Sequence, residues 1–125
     1  MAAYIAVFFG AGLGGITRHA INLAVLRAFG AGFPYATMLI NISGSLLMGL
    51  IAGYFAMRGE ASQTLRLFLT TGILGGYTTF SAFSLDAGLL YERGQLQAAA
   101  AYVVGSVAVS LGGLFLGLFV IRQLP

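Results

Sequence analysis

The densest run of chemically capable side chains in this sequence is Thr70-Thr71-Gly72-Ile73-Leu74-Gly75-Gly76-Tyr77-Thr78-Thr79-Phe80-Ser81-Ala82-Phe83-Ser84. A glycine pair followed by β-branched and hydroxylated residues makes a poor continuous helix, since glycine costs about 1 kcal/mol relative to alanine. The reading is a helix broken at about residues 75–79. At membrane depth such a break is tolerated only where its carbonyls are buried in protein, line water or coordinate an ion. Carbonyls freed between Gly75 and Thr79 suit a cation, as in discontinuous transporter helices; the alternative is a kink repaired by the threonine hydroxyls. Phe80 and Phe83, three residues apart, share a face of the helix that restarts. Such pairs ordinarily serve as core or lipid contact, but rings presented edge-on offer a positive rim that replaces part of an anion's hydration.

Three further sets of polar groups stand out. Asn41 sits in an apolar stretch with Thr37 one turn before it and Ser45 one turn after. An amide there either bonds a neighbouring helix or offers two N–H donors to an anion or water. Tyr102, Ser106 and Ser110 recur at four-residue spacing, a single stripe of hydroxyls that can act as a ladder of donors down a narrow path. Arg18 is about 22 Å along its helix from Ala3 at about 1.5 Å per residue. It either snorkels to the far interface or sets a positive potential at a water-filled vestibule. Asp86 is the one acid away from a loop, expected to pair with an arginine or cap backbone. No carboxylate lies mid-stretch, which argues against proton-coupled export and cation conduction. No titratable pair is placed for acid–base catalysis, so the chain does not read as an enzyme.

These groups are set in a strongly apolar chain. Of 125 residues, 59% are hydrophobic and only 7% charged, and the mean hydropathy is +0.96. A soluble domain carries roughly 25% charge, so most of this surface faces lipid. The basic residues stand singly between apolar runs, which excludes a nucleic-acid face. Without cysteine there is no disulfide or thiolate metal site.

Crossing the bilayer takes about 20 apolar residues, and four stretches suffice: about 3–29, 34–57, 64–91 and 96–124. The fold class is an all-α membrane protein, a single four-helix domain over 1–125. The first stretch lacks a basic leader and reads as a retained helix rather than a cleaved signal. Its Gly10-Ala11-Gly12-Leu13-Gly14-Gly15 mimics a dinucleotide fingerprint but has no strand before it, and reads as a packing face. The pairs Gly49/Gly53, Ser106/Ser110 and Gly113/Gly117 have the small-xxx-small spacing of close helix contacts. Arg58, Arg66 and Arg122 fall on one side of the membrane and Arg27 and Arg93 on the other. So even a balance permits both orientations, and with them an antiparallel dual-topology homodimer.

Together these pieces resemble the CrcB/Fluc family of fluoride channels. The resemblance rests on Gly75-Gly76-Tyr77-Thr78-Thr79-Phe80-Ser81-Ala82-Phe83-Ser84, similar to GGxTTFSTFS; on Thr37 to Gly44, similar to TLxVNxxG; and on Gly14 to Arg18, similar to GAxxR. Ala36 and Ala82 replace a common glycine and threonine. The resemblance implies an antiparallel homodimer in the cell (inner or plasma) membrane, multi-pass, with two fluoride pathways at the interface. It implies pore roles for Asn41, Phe80, Phe83, Tyr102, Ser106, Ser110, Thr37, Thr79 and Ser81, and a vestibule role for Arg18. It also implies a structural sodium ion on the two-fold axis, held by the backbone carbonyls of Gly75 and Thr78. The purpose it implies is passive release of fluoride trapped when HF dissociates in the cytoplasm. Two rival readings are a small multidrug-type exporter, which needs an acid absent between Ala3 and Arg18, and a non-conducting accessory subunit, which needs neither the donor stripe nor the break.

Overall fold

The computed structural model describes residues 1–125 as an all-helical chain. Helix α1 spans Ala2–Phe29 and α2 spans Tyr35–Arg58. A third segment begins with α3 (Gln63–Leu67), widens into a π-helical stretch (Phe68–Leu74) and closes with α4 (Gly75–Tyr77). Helix α5 spans Phe80–Glu92 and α6 spans Leu96–Arg122.

The local causes are visible. Ser62 caps α3 by accepting the Leu65 amide at 3.2 Å, meeting one of the donors every helix start leaves free. Gly59 ends α2 in the left-handed region at φ 65°, and Gly94 turns the chain between α5 and α6 at φ 75°, where a side chain would be strained.

The glycine pair does not break the helix. Gly75 and Gly76 are helical, and the two extended residues are Thr78 (φ −80°, ψ 159°) and Thr79 (φ −154°, ψ 116°). The physical reason lies in α1: a Cβ on Gly76 would run into the Ala11 backbone, so this glycine supplies closeness rather than a bend. Gly10 and Gly14 answer from the other side. A side chain on Gly10 would lie 2.7 Å from the Phe68 carbonyl oxygen, and one on Gly14 would strike the Ile73 carbonyl. Gly12 and Gly15 face open space, so only part of the glycine run is the packing face.

Helices α2 and α6 pack along most of their length. Gly49 lies against the Leu114 carbonyl and Gly117 against the Leu46 carbonyl, each too near for a methyl group. Such approach lets dispersion and weak backbone contacts stand in for a hydrophobic driving force that hydrocarbon does not supply.

Only 15 of the 125 residues are buried, and large apolar side chains are exposed along every long helix. A surface of that kind is stable against lipid or another apolar chain, not against water. By length and hydropathy α2 and α6 are able to cross a membrane. Helix α1 has the length, but Thr17-Arg18-His19 and Asn22 dilute its apolar run.

Gly14→Ala is expected to destabilise the fold by about 1–3 kcal/mol through overpacking, read as a lower melting temperature in detergent. Gly12→Ala, on the open face of the same helix, is expected to leave it unchanged or raise it.

Candidate functional site

The two extended threonines interrupt the helical ladder, and their backbone groups need other partners. The Asn41 side chain provides them from α2. Its Nδ2 donates to the Thr79 carbonyl at 3.0 Å, and its Oδ1 accepts the Thr79 amide at 2.8 Å. The Thr79 hydroxyl then caps α5 by accepting the Ala82 amide at 3.1 Å. The Thr78 amide and hydroxyl both donate back to the Leu74 carbonyl, each at 2.9 Å. Beside this clamp the Tyr77 and Ser43 hydroxyls are bonded to each other at 2.8 Å, and Gly44 leaves room for the Thr78 methyl group. Asn41 is therefore a strut with one N–H left over, not the bearer of two free donors.

The same bonds leave two carbonyls without their helical amides. The Thr79 N–H that a continuous helix would send to the Gly75 oxygen goes to Asn41, and the Ala82 N–H that would reach the Thr78 oxygen goes to Thr79 Oγ1.

Above the clamp, α2, α5 and α6 enclose a cavity of about 340 Å³ lined by Asn41, Thr78, Thr79, Phe80, Phe83, Ser106 and Ser110 among others. The Ser106 and Ser110 hydroxyls are buried and have no hydrogen-bond partner. Serines in apolar helices ordinarily bond back to the preceding turn, so two unpaired hydroxyls on one wall are donors held available. Ser106 and Ser110 thus line a cavity rather than a helix contact. Phe80 and Phe83 form a tilted pair with ring centroids 5.5 Å apart, Phe83 half-buried and Phe80 78% exposed.

A second cavity of about 250 Å³ opens near the α1–α2 turn, where His19, Asn22, Thr37 and Asp86 gather with Phe33 and Tyr35. Thr37 belongs here and not with Asn41. Tyr102 lines neither cavity: its side chain is wholly buried and its hydroxyl donates to Asp86 Oδ2 at 3.1 Å. Asp86 thus holds a tyrosine rather than an arginine. Ser81 is exposed, its hydroxyl 3.2 Å from that of Thr79. Arg18 is half-buried and lines neither cavity, though its neighbours His19 and Asn22 do. Sequence reasoning missed the Tyr77–Ser43 bond and the Asp86–Tyr102 bond; the signal available was that each is a polar residue inside an apolar run.

An all-helical chain with an apolar exterior, a paired helix break and unpaired donors along an internal wall is a helical membrane protein with a polar track. The chain belongs to the CrcB family: the family model described as CrcB-like protein, Camphor Resistance (CrcB), matches residues 5–118. It is 64% identical over 121 residues to a Rhodopseudomonas palustris protein named fluoride-specific ion channel FluC, covering 97% of this chain and 98% of that one. It is 60% identical, with the same coverage, to fluoride-specific ion channel FluC 2 of Nitrobacter hamburgensis. A Methylobacterium nodulans protein named fluoride-specific ion channel FluC is 61% identical over 95% of each chain.

Asn41→Ala would strand the Thr79 amide and carbonyl together. At about 1–3 kcal/mol for each unsatisfied group, it is expected to cost about 2–6 kcal/mol and to speed hydrogen exchange at the Thr79 amide. Asn41→Asp keeps the acceptor for the Thr79 amide but sets a carboxylate oxygen against the Thr79 carbonyl in a part-buried site, so it is expected to cost at least as much.

Proposed function

We propose that this chain is a fluoride-selective channel through which fluoride leaves the cytoplasm passively. The observation that carries the proposal is the pair of buried, unpartnered hydroxyls of Ser106 and Ser110 facing the Phe80–Phe83 rings across one cavity. Fluoride is small and strongly hydrated, so a path for it must replace water with close donors. Hydroxyls, one Asn41 N–H and ring edges supply them without a fixed positive charge, and neutral donors let the ion leave again. Close to full-length relatives that carry the fluoride-channel name support the same reading.

The working unit in this proposal is an antiparallel dual-topology homodimer in the cell membrane, each copy crossing four times, with two pores at the interface. The even spread of arginines supports insertion in both orientations. Phe80, exposed at the edge of the cavity, supports a second copy completing the wall. The helix break would face the two-fold axis. Carbonyl oxygens are the hard donors a sodium ion prefers, and those of Gly75 and Thr78 lack the amides a helix would give them, so they fit the role of holding it. A sodium ion there would supply a positive charge binding the two copies' carbonyl dipoles together.

The test is fluoride efflux from liposomes containing only the purified protein, read with a fluoride electrode. No flux above protein-free vesicles would exclude the channel, and equal chloride flux would reject its selectivity. Ser106→Ala and Ser110→Ala are each expected to slow efflux about tenfold, the loss of one hydrogen bond of about 1.4 kcal/mol. Removing an unpaired buried hydroxyl should leave the melting temperature equal or higher. Phe80→Ile and Phe83→Ile are expected to cut efflux strongly while the protein still elutes as a dimer.

A further inference from the structure

The two cavities share no lining residue. Tyr102 stands between them, with no exposed surface, and touches the wall of each: the Phe83 ring of the first at 5.3 Å between centroids, and the Phe33 ring of the second at 5.6 Å, edge to face. Its ring cannot rotate about its bond to the backbone without leaving one or both of those contacts. Its hydroxyl donates to Asp86, which lines the second cavity, and takes a further side-chain hydrogen bond from Thr37 of the same cavity. From this we infer that Asp86 is a positioning residue for the channel proposed above: by holding the Tyr102 hydroxyl it fixes the ring as the partition between the cavities, and the fixed ring sets how large an anion can pass.

The physical case rests on what each group can do. Asp86 is a carboxylate, an acceptor only, and repels an anion rather than binding it. Its value to an anion path therefore lies in what it holds. A charge-assisted bond from a hydroxyl is stronger than a neutral one, and aromatic packing alone leaves a ring free to shift along its neighbours. With the bond in place the Tyr102 proton points toward the second cavity, so the donors that meet an ion in the first cavity are Ser106, Ser110 and Asn41. This places Tyr102 as a wall of fixed position instead of a rung in the hydroxyl ladder.

Asp86→Ala removes the acceptor of the hydroxyl proton, and Tyr102→Phe removes the hydroxyl while keeping the ring. Each is expected to raise chloride efflux relative to fluoride efflux about tenfold in liposomes, the loss of one hydrogen bond's hold on the ring. The double variant is expected to match the singles within about twofold, because Asp86 acts only through the hydroxyl. A double variant about a hundredfold less selective, or an Asp86→Ala protein as selective as wild type, would overturn the inference. A second measurement stands apart from transport. The infrared difference between wild type and Asp86→Ala should show a shifted tyrosine C–O band, and that band should vanish from the same difference taken in the Tyr102→Phe background. Its persistence there would show that Asp86 holds some other tyrosine and would also overturn the inference. If wild-type vesicles pass no fluoride, the channel reading falls and with it the selectivity role, whereas the infrared result still decides whether Asp86 holds Tyr102.

Discussion

Everything near the polar track depends on one two-way hydrogen bond. Two consecutive residues in extended conformation, placed between helices, expose backbone groups that hydrocarbon cannot satisfy. The Asn41 amide matches the Thr79 peptide group donor to acceptor and acceptor to donor. Only asparagine and glutamine set an N–H donor and a carbonyl acceptor side by side on one amide group, and glutamine's extra methylene would displace them. With Thr79 fixed, its hydroxyl caps α5, and the direction of α5 sets where Phe80 and Phe83 lie. The clamp thus converts a local defect into the geometry of the cavity beyond it.

The second constraint is closeness. Backbone-to-backbone contact of α1 with the π-helical stretch and α4, and of α2 with α6, holds the scaffold to which the clamp is fastened. The π-helical stretch Phe68–Leu74 belongs to the same arrangement. Its wider turn carries Gly72 against Gly10 while Gly76 reaches Ala11, and π turns of this kind recur where a helix is shaped for a site. In the CrcB family member described here, packing and function use neighbouring residues of one short segment.

How much of this could be read from the sequence follows from which interactions are local. The all-helical class, the polar sites and the interruption near Thr78 follow from composition, spacing and hydroxyl content. The interruption lies at Thr78 and Thr79, inside the expected 75–79, but glycine has two uses, flexibility and thinness, and only the α1 backbone lying over Gly76 decides that the glycine pair serves the second. Likewise Ser106 and Ser110 have the spacing of a helix contact, and only the placement of α5 opposite them makes that face a cavity. Asn41 was legible as important, yet its partner, 38 residues away, was not. For Asp86 the sequence offers an arginine or a backbone cap; the buried hydroxyl of Tyr102 is a partner that neither charge counting nor local capping sees. Arg18 and Ser81 are named by motif and stand outside both cavities, which a single helix's periodicity cannot reveal.

The long sequence separation within the clamp also bears on biogenesis. Asn41 leaves the ribosome 38 residues ahead of Thr79, so α2 reaches the bilayer carrying an amide whose partner has not yet been made. Until the third segment arrives that amide must bond water or whatever chain is present. The final pairing of α2 therefore waits for the segment that bears the threonines. A truncated chain ending before Thr79 would carry a standing polar defect for membrane quality control to recognise.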